Sequence, residues 1–299
     1  MDLRVILNGK KAGLEPVRSA IFKARESGVI EVRATWEAGD VQRLVQEACR
    51  DGCQRLVAGG GDGTVNEVAD ALLKLPIADR PELAVLPLGT ANDFATGCTI
   101  PSDPLLALRL AQSGQACSVD AVKANDFHFI NVASGGFGAQ VTANTPVALK
   151  NFLGGGAYTL SGLVQALNFT PYHGEVRLPQ GSLRDTIIAG AVCNGKQAGG
   201  GQQLAPTAMI DDGLLDLVAL TEFPPENIAQ VIQELMETEV GGNYVRRFRV
   251  PWVEWESDVE MPINLDGEPI SAKNIRFEVL PGAIKLVLPE NCPMTASCS

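Results

Sequence analysis

The stretch Arg55-Leu56-Val57-Ala58-Gly59-Gly60-Gly61-Asp62-Gly63-Thr64-Val65-Asn66-Glu67-Val68-Ala69-Asp70-Ala71-Leu72-Leu73 joins a short apolar run to a helical pattern through consecutive glycines. Val65, Val68, Ala69, Leu72 and Leu73 recur at helical spacing, so a helix follows the turn, and 55–58 reads as a buried strand. Glycine lacks Cβ and permits positive φ and close backbone approach, so successive N–H groups can converge on one anion at a helix start. Thr64 with Glu67 three residues on has capping-box spacing. A second junction of the same kind follows: the apolar run 83–86, then Pro87-Leu88-Gly89-Thr90-Ala91-Asn92-Asp93, then a helix-like segment starting near Asn92. Both turns stand at the carboxyl ends of strands, where open α/β sheets bind ligands.

Outward from these turns, the first 120 residues alternate short apolar runs (3–7, 30–34, 55–58) with helix-like segments (16–26, 41–50), the rhythm of a parallel sheet. From about Phe127 the texture changes to short β-type runs at 128–132, 186–192, 214–220, 250–255, 275–280 and 284–288, which suggests a β-sandwich. A helix is expected at 225–239. With 299 residues the chain is long enough for two domains. The expected division is an α/β domain over 1–126 and an all-β domain over 127–299, with 289–299 free to pack back on the first.

A formal charge of −11 opposes unselective binding to nucleic acid, so no nucleic-acid partner is expected. The seven cysteines are scattered without C-x-x-C pairs, which indicates neither a zinc knuckle nor a disulfide framework and fits a reducing cytoplasm. No uncharged stretch approaches the ~20 residues that span a bilayer, so any membrane contact is peripheral.

No G-x-x-x-x-G-K-[ST] occurs, and Thr64 occupies the position of the last glycine of G-x-G-x-x-G, so neither P-loop nor Rossmann chemistry is indicated. The turns hold no lysine. A bound triphosphate, carrying about four negative charges, would need a divalent cation, for which Asp62 and Asp93 are the hard oxygen ligands or water-orienting groups within reach. Read alone, the first motif is equally a glycine-rich strand-to-helix turn, Asp266-Gly267-Glu268 is a hairpin turn, and Met209-Ile210-Asp211-Asp212-Gly213-Leu214 is a polar turn before a strand.

The run Gly59-Gly60-Gly61-Asp62-Gly63-Thr64 with Asn66-Glu67, followed by Pro87-Leu88-Gly89-Thr90-Ala91-Asn92-Asp93-Phe94-Ala95, resembles the catalytic domain of the diacylglycerol kinase superfamily. Ser134-Gly135-Gly136-Phe137-Gly138, Asn194-Gly195, Asp211-Asp212-Gly213-Leu214-Leu215 and Asn264-Leu265-Asp266-Gly267-Glu268 resemble its later motifs in order, so the likeness covers nearly the whole chain. Thr35-Trp36-Glu37 and Gly199-Gly200-Gly201-Gln202-Gln203-Leu204 resemble the YegS-type bacterial lipid kinases within it. The resemblance implies a three-layer α/β domain like those of phosphofructokinases and NAD kinases, a C-terminal β-sandwich, and an active site in the cleft between them. It implies an ATP- and Mg²⁺-dependent lipid kinase, with diacylglycerol or phosphatidylglycerol among the acceptors, in the cytoplasm or at the inner membrane surface. It places ATP against Thr35, Gly60, Gly61, Asp62, Gly63, Thr64, Val65, Asn66 and Thr90, and makes Glu268 the base, with Asp62 and Asp93 at the reacting phosphate. Met209, Asp212 and Leu214 would hold Mg²⁺, or Ca²⁺ at a structural site.

Two other functions are compatible with the glycine turns: a kinase with a soluble acceptor, as in NAD kinases, and a non-catalytic nucleotide or lipid sensor. His128 and His173 read as packed or surface rings, and no G-x-S-x-G elbow supports serine hydrolysis. The segment 147–169 reads as a packed helix or a lipid-facing lid. Tyr244-Val245-Arg246-Arg247-Phe248-Arg249 reads as an edge strand or a headgroup contact.

Overall fold

Runs that are apolar at nearly every position, as in Leu3–Leu7 and Arg55–Gly60, suit strands covered on both faces, and the computed structural model uses them in that way. It describes residues 3–136, 166, 169–237 and 241–296. The segment 147–169 lies outside these apart from Ala166 and Phe169, as do Phe137 and Gly138. Two units emerge: Met1–Ala121 with Ile210–Asp212 and Pro281–Ser299, and Val122–Met209 with Gly213–Leu280. The chain therefore passes between them four times, where its composition shows one change of texture.

In the first unit, β1 (Leu3–Leu7), β2 (Ile30–Ala34), β3 (Arg55–Gly60) and β4 (Glu82–Pro87) form a parallel sheet in the order β4-β3-β1-β2. Leu286, in the last strand, adds to β4 through a parallel pairing with Leu83. The helices are α1 (Glu15–Ala24), α2 (Asp40–Arg50), α3 (Asp62–Leu73), α4 (Asp93–Gly97) and α5 (Pro104–Ser113). Val17, Ala20 and Ile21 of α1 and Ala107, Leu108 and Ala111 of α5 share one core with Val5, Val57 and Leu86 of the sheet. In register, Leu7 faces Ala34 on one side and Gly59 on the other, so the carboxyl ends of β2, β1 and β3 finish at one level.

The second unit is antiparallel. After β5 (Gln115–Ala124), the strands β6 (Phe127–Phe129), β7 (Val132–Gly136), β8 (Tyr172–Leu178), β9 (Gly181–Cys193), β12 (Leu215–Thr221), β13 (Val245–Val250), β14 (Trp252–Leu265) and β15 (Glu268–Leu288, as far as Leu280) build a β-sandwich, with a separate short hairpin of β10 (Gln197–Ala198) and β11 (Gln202–Gln203). Strand β9 pairs with β8 over its first half and with β7 over its second, and β14 does the same, while its ladder with β15 shifts register between Glu256 and Met261. The sheet thus folds over an apolar core that includes Phe129, Trp255, Ile263 and Phe277, with Phe129 and Phe277 edge to face at 6.1 Å.

Several elements differ from the sequence reading for identifiable reasons. The expected run 128–132 breaks into Phe127–Phe129 and β7, because the N–H groups between them are drawn to a carboxylate described below. The run 250–255 splits at Pro251, which has no N–H for a ladder. The runs 275–280 and 284–288 belong to one strand, Glu268–Leu288. The helix expected over 225–239 is a 3₁₀ turn, Pro225–Asn227, and a helix over Ile228–Met236. Cys49, Cys53, Cys98, Cys193 and Cys292 are free thiols, while Cys117 is disulfide-bonded, a bridge that the scattered cysteine spacing did not indicate. No helix among the described residues is long and apolar enough to cross a membrane.

Arg55 anchors the sheet end opposite the glycine turns. Although only 4% exposed, it donates to Glu82 at 2.8 Å and to the carbonyl of Ala111 at 2.6 Å. Replacing it with alanine orphans both acceptors, and Arg55→Ala should lower the stability of the first unit by about 2–4 kcal/mol. An unmoved urea midpoint would show the pair to be dispensable.

Candidate functional site

The two glycine turns touch each other through their backbones. A Cβ on Gly89 would stand 2.5 Å from Cα of Gly61, and one on Gly60 would stand 2.4 Å from Cβ and Oγ1 of Thr64. Leu88 N–H donates to the Gly60 carbonyl at 2.7 Å, tying the second turn to the end of β3. Asn92, at φ 51°, closes the second turn by accepting from Gly89 N–H at 2.8 Å and donating to its carbonyl at 3.1 Å. Asparagine is among the few residues that take this left-handed conformation at small cost.

Helix α3 begins directly after Gly61, which is extended at φ −89° and acts as the cap residue. Thr64 is therefore inside the first turn, and the capping-box reading is incorrect: its hydroxyl accepts from Asn8 Nδ2 at 3.2 Å. Gly61 has no side chain with which to cap the helix, so the first turn of α3 presents its N–H end where the two glycine turns converge. Asn66 is 4% exposed, and its Oδ1 lacks a hydrogen-bond partner. Val65 is buried and donates its N–H to Gly61. Gly9 N–H donates to Thr35 Oγ1 at 3.2 Å, which brings the ends of β1 and β2 into the same row, while Thr90 is exposed on the second turn. Asn8 escaped the sequence reading; the signal available was its place, with Gly9, at the end of a third strand.

Asp62 and Asp93 are close enough to repel. Asp62 accepts from Phe94 N–H at 3.2 Å, yet burial pushes its carboxyl above the ordinary range, and the charge of buried Asp93 adds to the rise against the amide hydrogen bonds. Two crowded carboxylates at the starts of two helices favour a cation held jointly with an anion, since Mg²⁺ commonly takes one or two carboxylates plus phosphate oxygens.

In the second unit two motifs far apart in sequence converge on Ile130–Asn131–Val132. Asp266 accepts from the N–H groups of Ile130 (2.9 Å), Asn131 (2.9 Å) and Val132 (2.7 Å). From the other side, Asn194 Nδ2 donates to the Ile130 carbonyl at 2.7 Å, and the N–H groups of Asn194 and Gly195 both donate to the Asn131 carbonyl at 2.9 Å. Asp266 and Gly267 both have positive φ, 49° and 103°, and form the two-residue turn between β14 and β15 that presents exposed Glu268. Asp266 thus fixes the turn, a role its sequence reading did not include.

The segment Ile210–Asp212 belongs to the first unit, where Ile210 N–H donates to Met294, Ile210 accepts from Asp120, and the Asp211 carboxylate accepts from Ala296 N–H at 2.9 Å. Asp212, Met209 and Leu214 are all partly exposed. No group of three or more His, Cys, Asp or Glu side chains able to hold a metal occurs among the described residues. A cation on 209–214 would therefore rest on one carboxylate and backbone carbonyls, a donor set that suits a hard ion.

The chain matches the model of the diacylglycerol kinase catalytic domain over residues 2–124 and that of the YegS C-terminal NAD kinase beta sandwich-like domain over 131–288. It is 49% identical over 293 residues to a "Probable lipid kinase YegS-like" of Shewanella frigidimarina, covering 97% of this chain and 95% of that one. A protein of the same name from Chromohalobacter salexigens is also 49% identical, covering 97% and 94%. Two crystal structures from Bacillus anthracis str. Sterne share the fold. One has a TM-score of 0.78 at 25% identity, and the other, of a diacylglycerol kinase, has 0.75 at 22%; each comparison covers 96% of this chain and 97% of the other.

Gly89→Ala should cost about 1–3 kcal/mol because backbone cannot move aside for its Cβ, whereas Gly63→Ala, whose Cβ meets nothing within 4 Å, should be neutral or stabilising. Equal melting temperatures would refute the close approach. Asp62, with its raised pKa, binds its proton more tightly in the folded chain than in the unfolded one. Its contribution to stability is therefore lost as pH rises from the ordinary carboxylate range through the raised value. Asp62→Asn should make the ligand-free protein more stable at pH 7 and flatten this part of the pH–stability curve, and a less stable variant would contradict the assignment.

Proposed function

This chain belongs to the YegS-like family of diacylglycerol-kinase-domain proteins, and we propose that it is an ATP- and Mg²⁺-dependent kinase that phosphorylates a hydroxyl of a membrane lipid. The observation that carries this reading is the backbone-to-backbone contact of the two glycine turns at the uncapped start of α3. The turns offer amide donors and no ammonium, a combination suited to phosphate oxygens whose remaining charge is met by a cation. Gly60, Gly61, Gly63 and Thr64 would cradle the phosphates, with Asn66, Thr35 and Thr90 as flanking polar contacts. Asp62 and Asp93 would hold Mg²⁺ against the phosphate oxygens, where it supplies charge neutralisation. Asp212 with the carbonyls of Met209 and Leu214 would hold a second, structural divalent ion.

Glu268 is the proposed base. Its carboxylate takes the proton of the lipid hydroxyl as that oxygen bonds to the γ-phosphorus and the bond to ADP breaks. Asp266 supports the role by fixing the turn, since positioning dominates phosphoryl transfer. A lipid acceptor is favoured by the names of the relatives and by an apolar cavity of about 100 Å³ in the second unit, walled by Leu183, Leu217, Phe248, Met261 and Phe277. The acceptor would be drawn peripherally from the cytoplasmic membrane face.

Transfer of labelled phosphate from ATP should be seen with vesicles containing diacylglycerol or phosphatidylglycerol and not with NAD⁺ as acceptor. Glu268→Gln should keep nucleotide affinity and lose about 10²-fold or more in kcat. Transfer to NAD⁺ alone would replace the lipid reading, and an undiminished kcat in the variant would remove Glu268 from the chemistry.

A further inference from the structure

Trp36 is 95% exposed, the most open of the large apolar side chains among the described residues. Its backbone, in contrast, is locked. The Asp40 carboxylate accepts from Trp36 N–H at 2.6 Å and from Glu37 N–H at 3.1 Å, and Arg43 donates to the other oxygen of Asp40 at 2.6 Å. Arg43 first, and then these two amides, hold the Asp40 carboxyl down at about 2, so the turn stays charged and closed at any working pH. On its other side, Thr35 N–H donates to Leu7, and Thr35 Oγ1 accepts from Gly9, whose missing Cβ would lie 2.1 Å from the Thr35 carbonyl. A fixed turn that holds a bare indole in solvent incurs a hydrophobic cost that an internal contact would remove.

The position of the indole identifies what could cover it. The last full ladder row aligns Ala34 of β2, Leu7 of β1 and Gly59 of β3. Two residues farther on lie Trp36, Gly9 and Gly61. Adjacent strands are about 4.8 Å apart, so Trp36 stands about 10 Å from the glycine turns along the row of strand ends. A purine base in an extended nucleotide is about that far from its outer phosphates. We infer that Trp36 is the stacking platform for the adenine base of the nucleotide whose phosphates the glycine turns hold. This inference rests on the nucleotide site proposed above and adds to it the residue that distinguishes a nucleotide from a bare polyphosphate.

Isothermal titration of wild type, Trp36→Phe and Trp36→Ala with Mg²⁺-ATP and with Mg²⁺-tripolyphosphate tests it. Loss of a base–aromatic stack should weaken ATP binding by about 5- to 150-fold in Trp36→Ala. Trp36→Phe should keep most of the affinity, and tripolyphosphate should bind all three proteins alike. In wild type, ATP should quench the long-wavelength indole emission and tripolyphosphate should leave it unchanged. Unaltered ATP affinity in Trp36→Ala, or an equal loss for both ligands, overturns the inference. So does loss of binding to phosphatidylglycerol vesicles with ATP affinity intact, which would make Trp36 a membrane anchor. Wild type that binds ATP yet transfers phosphate to no lipid would refute the proposed activity and leave the stacking role standing, whereas wild type with no ATP affinity removes both.

Discussion

One constraint shapes the strand ends of the first unit: the approach of Gly61 to Gly89, where two main chains meet and a Cβ on Gly89 would stand 2.5 Å from Cα of Gly61. Much of the local geometry follows from it. β3 and β4 must be neighbours and must end together, as their parallel pairing from Arg55 with Glu82 to Gly60 with Pro87 allows. Helix α3 must start without a side-chain cap, since the space a cap would fill belongs to the other turn. Asp62 and Asp93, each the first residue of its helix, are brought together by the same contact, which explains why a buried carboxylate is tolerated beside another.

The parallel sheet was largely legible in the sequence because β1, β3 and β4 are apolar at most positions and the helices between them carry an apolar stripe. β1 and β2 occupy the residues that their patterns mark. The hairpin at Asp266-Gly267 was legible from turn chemistry. Less visible were features that depend on partners remote in sequence. Thr64 has the spacing of a cap, but Asn8, 56 residues earlier, claims its hydroxyl. The run 128–132 looks continuous until Asp266, 135 residues away, takes its amides. Local pattern reports local preference, and these choices are made by tertiary hydrogen bonds.

In the second unit the turn that carries Glu268 depends on charge. One carboxylate, Asp266, satisfies three consecutive amides and pins the turn that carries Glu268, while Asn194 and Gly195 hold the same segment from its carbonyl side. Gly195 is required because Asn131 Oδ1 lies 2.0 Å from where its Cβ would be. The hydrogen bonds to the Asp266 carboxylate are charge-assisted, a kind that is shorter and stronger than neutral ones.

Neither unit is a continuous length of chain. The N-terminal sheet takes in Leu286 beside Leu83, and Ile210 and Asp211 bond to Met294 and Ala296 in the same unit. During synthesis, then, the α/β half cannot close when its own first 121 residues leave the ribosome. It must wait, with an edge of β4 open, through the emergence of the entire sandwich, so the half made first is completed last.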